Sequence, residues 1–102
     1  MANKIKIKRT APFKDWLKNL KDSNSKLRIT RFFERVAENG LSGDIEPVGE
    51  GVSEFRFHWG AGYRVYFLQH GDDIIVLLGG GTKRTQKQDI KDAKSLASTF
   101  TD

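Results

Sequence analysis

The stretch VSEFRFHWGAGYRVYFLQ, Val52–Gln69, decides the fold. Apolar and polar residues alternate on both sides of Gly60-Ala61-Gly62, the period-two signature of two strands joined as a hairpin. Val52 to Trp59 reads as one strand and Tyr63 to Gln69 as the next. A turn made of Gly60-Ala61 alone would pair Phe57 with Arg64 and bury the arginine. A loop of Gly60-Ala61-Gly62 instead pairs Phe57 with Val65, Phe55 with Phe67, His58 with Arg64 and Arg56 with Tyr66. A slip of one residue turns every side chain over, so burial of the phenylalanines selects the second register. It gathers Glu54, Arg56, His58, Arg64 and Tyr66 on the face opposite the apolar one.

Outward from this hairpin, Ile74 to Leu78 forms a further strand, reached through the His70-Gly71-Asp72 turn. Toward the N-terminus the period changes. Phe13, Trp16, Leu17 and Leu20 lie at helical spacing behind Thr10-Ala11-Pro12, an N-cap followed by a first-turn proline. Ile29, Phe32, Phe33, Val36 and Ala37 mark a second helix ending at Asn39-Gly40. The polar turn Asp22-Ser23-Asn24-Ser25 separates the two, and one of its serines is expected to cap the second helix. Ile5 and Ile7, alternating with lysines, give a short first strand. A Thr85/Gln88 capping box is expected to open a last helix bearing Ile90, Ala93, Leu96, Ala97 and Phe100. The predicted order is β-α-α-β-β-β-α. That makes an α+β fold, a curved and mostly antiparallel sheet packed on a helical hairpin, with residues 1–102 as one domain.

The 18 Lys and Arg against 13 Asp and Glu leave +5 and a pI near 9.6, a balance that favours polyanionic partners. Cysteine is absent and histidine is limited to His58 and His70, so neither a disulfide framework nor a thiolate or histidine metal site is expected. No cofactor is implied. The basic N-terminus lacks the apolar run of a signal peptide, and no stretch is apolar enough to span a membrane. A cytoplasmic protein is expected.

The charged hairpin face carries the chemistry. Cations around a histidine or tyrosine suit phosphodiester cleavage in RNA. One group removes the 2′-hydroxyl proton, another stabilises the pentacovalent phosphorane, and a third protonates the leaving 5′-oxygen. Arg56, Arg64, His58 and Lys83 are the catalytic candidates. Lys6, Lys8 and Arg84 can hold the RNA backbone, and Tyr66 and Trp59 can stack on bases. Each has a plainer alternative. The arginines can pair with Glu54, Tyr66 can be a packing residue, and Gly79-Gly80-Gly81, which lacks the Walker spacing, can simply let the backbone bend.

Three blocks carry a family likeness: Pro47 to Arg56; Gly60-Ala61-Gly62-Tyr63-Arg64-Val65-Tyr66-Phe67; and Leu77 to Gln86 with Asp89-Ile90 and Ala93-Lys94. Trp16-Leu17, Leu20-Lys21-Asp22, Ile29-Thr30-Arg31 and Gly40 to Asp44 fit as well. The chain resembles the addiction-module killer proteins, a HigB-like branch of the RelE/ParE/HigB toxins. That resemblance implies a toxin that cleaves mRNA on the ribosome without metal, with Arg64, Lys83 and Arg56 at the family's basic positions. It also implies a cognate antitoxin, helix-turn-helix and HigA-like. A ParE-like gyrase poison and an inactive antitoxin-binding member are the alternatives. The RelE pattern includes a tyrosine near the C-terminus and a lysine pair before its equivalent of Arg64. No tyrosine follows Tyr66 here, and the pair has no counterpart. The resemblance thus leaves the general base unassigned, and His58 is the expected one from its predicted pairing with Arg64.

Overall fold

The computed structural model describes residues 4–100. The elements run β1 (Lys6–Arg9), α1 (Ala11–Lys18), α2 (Ser23–Asn39), β2 (Asp44–Gly49), β3 (Val52–Arg56), β4 (Arg64–His70) and β5 (Ile74–Gly81). A 3-10 turn (Lys83–Thr85), α3 (Gln86–Ala97) and a second 3-10 turn (Ser98–Phe100) complete the chain. The α+β class is as expected, with one strand more. Strand β2 contains Pro47, which is tolerated because β2 lies at the edge of a sheet ordered β1-β5-β4-β3-β2. It turns into β3 through Glu50 and Gly51, whose φ angles of 55° and 79° are the paired positive values of a tight hairpin. β1 joins β5 in parallel, and the remaining pairs are antiparallel.

The sheet is covered on both faces. Ile29, Phe33 and Val36 of α2 and Phe13 of α1 bury Phe55, Val65, Phe67, Ile75 and Leu77 on one side. Phe55 stacks on Phe67 at 4.3 Å, and Phe32 and Phe33 meet Phe55 edge-on at 5.2 Å, arrangements suited to the ring quadrupoles. On the other side Ala93 and Ala97 of α3 cover Val52, Tyr66, Val76 and Leu78. Strands buried on both faces read as unbroken apolar runs, as Ile74-Ile75-Val76-Leu77-Leu78 does.

Capping differs from expectation at two helices. Thr10 caps α1, accepting from the Phe13 N–H while its hydroxyl donates to the Leu77 carbonyl at 2.8 Å. At α2, however, the cap is Asp22 rather than a serine. Its carboxylate accepts from the Asn24 and Ser25 N–H groups and from the Ser25 hydroxyl. At α3 no Thr85/Gln88 box forms. The Thr85 hydroxyl oxygen accepts from the Thr82 N–H, its proton goes to Asp89, and Gln88 bonds to Asp92.

The Ser25 hydrogen bonds hold the Asp22 carboxyl below its ordinary range. A depressed folded pKa contributes stability that is complete above the unfolded value and is lost as pH falls through the folded one. Asp22→Ala is expected to lower Tm by roughly 4–8 °C at pH 7. The gap from the parent should close as pH falls below the ordinary carboxylate value of 3.8 and through the lowered one, measured by thermal circular dichroism.

Candidate functional site

The β3–β4 register is Phe55 with Val65, Glu54 with Tyr66 and Arg56 with Arg64. This is two residues from the expected pairing, because β3 ends at Arg56 and residues 57–63 form a longer loop closed by Phe57 N–H to Tyr63 carbonyl. A shift of two keeps each side chain on its expected face. Glu54, Arg56, Arg64 and Tyr66 therefore do share one face. That face is not open, however, since α3 lies on it. Glu54 is 2% exposed and Tyr66 0%.

Cross-strand pairing lays a row Asp44–Arg56–Arg64–Gly81 across β2 to β5, beside a row Glu46–Glu54–Tyr66–Gly79. Arg56 and Arg64 thus stand opposite each other, and each has its own carboxylate. Arg56 donates to both Asp44 oxygens at 3.2 and 3.0 Å, with Glu46 at 3.8 Å. Arg64 donates Nη1 to the Gly62 carbonyl at 2.7 Å and sets Nε 3.8 Å from Glu54, which leaves Nη2 without a partner among the described residues. Glu54 also accepts from the Gln86 amide at 3.0 and 3.1 Å, tying the start of α3 to the sheet.

His58 does not pair with Arg64. Its Nε2 lies 2.5 Å from Asp44, with its side chain 70% exposed. The Arg56 hydrogen bond, and then that of His58, hold the Asp44 carboxyl below its usual range. Asp44 in turn raises the Arg56 guanidinium. Lys83 packs against the 57–63 loop. Its N–H donates to the Ala61 carbonyl at 3.4 Å, and a Cβ on Gly62 would stand 3.3 Å from both Lys83 Cβ and Arg64 Nη1. Lys83 and Arg84 are exposed and enter no ion pair among the described residues.

The remaining candidates lie elsewhere. Lys6 and Lys8 are exposed on β1, separated from β3 by the two strands β5 and β4, opposite Ile74 and Val76 at the far end of β5 from Gly81. Trp59 turns to the helical side, where its Nε1 donates to the Ser25 hydroxyl at 2.8 Å. Tyr66 is enclosed, so its ring cannot receive a base. Its hydroxyl has no partner at hydrogen-bond geometry. Burial first, then the charges of Glu54 and Asp89, push its phenol far above the usual range, which removes it from proton transfer near neutrality. Burial also raises Asp89, partly offset by the Thr85 hydroxyl.

The triple glycine is not a phosphate loop, and the β4–β5 ladder shifts register just before it, where Phe67 pairs with Leu77 but Tyr66 with Gly79. The glycines lie within β5, where Gly80 faces Trp16 and Gly81 faces Asp89 at distances that leave no room for a Cβ. Asp44 and Gln86 went unnoticed in the sequence. The signal that could have found Asp44 is the alternation Asp44-Ile45-Glu46, with Pro47 compatible with an edge strand.

The family model described as phage-derived protein Gp49-like (DUF891) matches residues 15–99. An uncharacterized protein of Haemophilus influenzae is 43% identical over 93 residues, covering 91% of this chain and 93% of its own length. Among solved structures, a mutant of Escherichia coli toxin RelE in the free state superposes with a TM-score of 0.68 at 10% identity, covering 95% of this chain and 98% of that one. A chain of the Mycobacterium tuberculosis toxin–antitoxin complex RelBE2 matches with a TM-score of 0.61 at 15% identity, covering 81% and 94%. Among the described residues no helix is long and apolar enough to cross a membrane. The chain belongs to the phage-derived Gp49-like (DUF891) family, and its fold is similar to that of these RelE and RelBE2 chains.

Proposed function

We propose that this protein is the toxin of a toxin–antitoxin pair, HigB-like, and that it cleaves mRNA on the ribosome by internal transesterification. The observation that carries the reading is the constellation at the open end of the α3-side sheet face. There His58 is oriented by Asp44, Arg56 shares that carboxylate, Arg64 stands opposite Arg56 on the next strand, and Lys83 packs on the loop that carries His58. An imidazole held through one nitrogen by a carboxylate presents the other to substrate, the arrangement of an oriented general base.

In the proposed step His58 takes the proton of the ribose 2′-hydroxyl. The 2′-oxygen bonds to phosphorus, the bond to the 5′-oxygen breaks, and that oxygen is protonated. The Arg64 Nη2 that has no partner among the described residues, together with Arg56, meets the charge gathering on the phosphorane. Lys83 and Arg84 hold the flanking phosphates, and Lys83 is positioned by its loop contacts to donate to the leaving oxygen. Glu54 acts through Arg64, by fixing the plane of its guanidinium. The antitoxin is proposed to be a helix-turn-helix, HigA-like protein whose acidic segment covers these cations. Its support is that RelBE2, of similar fold, is a toxin–antitoxin complex.

Induced expression in cells tests the reading. Parent protein should arrest growth and create new mRNA 5′ ends in translated regions. His58→Ala should reduce cleavage by about 10²–10⁴-fold, the usual worth of a general base, and leave Tm unchanged because the side chain is exposed. Gyrase-trapped DNA breaks with intact mRNA would replace this proposal with the gyrase-poison reading.

A further inference from the structure

On the opposite side of the molecule from α3, Arg28, Arg31 and Arg35 of α2 project into solvent at i, i+3 and i+7, one face of the helix. The helical rise spaces them by roughly 4.5 and 6 Å along the axis. None of the three enters an ion pair among the described residues, although Glu34 and Glu38 border the neighbouring flank. Together with Phe32, Phe57 and Trp59 they line a cavity of about 260 Å³. The Arg28 guanidinium lies 3.7 Å from the centre of the Trp59 ring, and Trp59 is pinned from behind by Ser25. Three unpaired cations beside a floor of aromatic rings are more than a solvated helix face needs.

We propose that this groove is a second RNA-binding site, which takes one base of a single strand onto the Arg28–Trp59 stack and its adjoining phosphates onto Arg31 and Arg35. Stacked guanidinium and indole planes are the surfaces on which unpaired bases lie, and exposed arginines supply the backbone contacts. An acidic peptide would satisfy the cations and leave the flat platform unused. The groove is also continuous with the catalytic candidates through the chain itself. His58 faces Asp44 on the α3 side, while its neighbour Trp59 faces α2. A strand crossing the 57–63 loop would then be gripped by the α2 groove with its scissile phosphate at His58. The inference rests on RNA being the target, and it adds where the strand is held.

The test measures fluorescence anisotropy of a fluorescein-labelled 12-nucleotide single-stranded RNA in a His58→Ala background, where the probe is not consumed. Arg31→Ala/Arg35→Ala should weaken binding at least about tenfold and flatten the dependence of log K on log salt by about 1.4, or 0.7 for each lost phosphate contact. The charge-matched pair Lys87→Ala/Lys91→Ala, on the exposed face of α3, should change affinity less than about threefold. RNA should quench Trp fluorescence, and Trp59→Phe should remove that quenching. Equal losses in the two double variants, or unchanged affinity in the arginine pair, would overturn the inference. So would polyglutamate binding at matched affinity with the same arginine dependence. If the groove binds RNA as described while the parent protein cleaves none, the binding site stands and the nuclease reading falls.

Discussion

Replacing Gly80 with alanine is expected to lower Tm by roughly 10–20 °C, the consequence of about 3 kcal/mol of overpacking in a small domain. A Cβ at this position would lie 2.3 Å from Trp16 Cε3, 2.5 Å from Cδ2 and 2.6 Å from Cζ3. The indole is not free to step aside, because it packs against Phe13 at 6.1 Å and Tyr63 at 6.4 Å. Relief requires α1, a helix of only 8 residues, to move away from β5. Gly79→Ala is the internal control. Nothing lies within 4 Å of a Cβ there, so its cost should be near the small difference in intrinsic strand preference. Gly80→Ala/Trp16→Ala should cost less than the two single changes summed, because the clash is gone once the ring is removed. A Gly80→Ala protein as stable as Gly79→Ala would show that Trp16 does not rest on β5.

The second large effect concerns the buried pair beneath α3. Glu54→Leu should destabilise by about 3–5 kcal/mol, since it leaves the Arg64 guanidinium enclosed without its carboxylate. Arg64 is 9% exposed, and the same change takes from Gln86 the acceptor that ties α3 to the sheet. Glu54→Leu/Arg64→Met should recover much of the loss, because an apolar pair of similar volume carries no desolvation cost. Urea titration of Glu54→Leu, Arg64→Met and the double variant measures the coupling. An additive double variant would mean that the 3.8 Å approach of Arg64 Nε to Glu54 contributes nothing. Cleavage should vanish in both proteins that disturb Arg64, and stability recovery without activity recovery would separate its two roles.

Much of the fold was legible because its signals are local. Thr10 with Pro12, the helical stripes through Trp16 and Phe33, and the period-two hairpin each fix a backbone state within a few residues. The register slipped because parity, which burial of phenylalanines enforces, does not distinguish shifts of two. Loop length does, and the segment 57–63 closes through a Phe57–Tyr63 backbone bond that no residue type announces. The covering of the charged face was missed for a related reason. Glu54, Arg56, Arg64 and Tyr66 were read as solvated because they are polar, although the unbroken Ile74–Leu78 run already required a second buried face. The site was legible as residue types and only partly as geometry. Arg56 and Arg64 do face each other, but the partner of His58 comes from β2, an edge strand absent from the predicted order. No local pattern could have shown that Gly80 and Gly81 are small for Trp16 and Asp89, residues brought close by tertiary packing alone.

Attack of the 2′-oxygen with His58 as the base is tested most directly by the chemistry of the ends left when purified protein acts on mRNA bound to ribosomes. The expected ends are 2′,3′-cyclic phosphate on the upstream fragment and 5′-hydroxyl on the downstream one, with cleavage lost when the scissile nucleotide carries a 2′-deoxy sugar. Ends bearing 3′-hydroxyl and 5′-phosphate, or mRNA left whole by a folded parent protein, would contradict it.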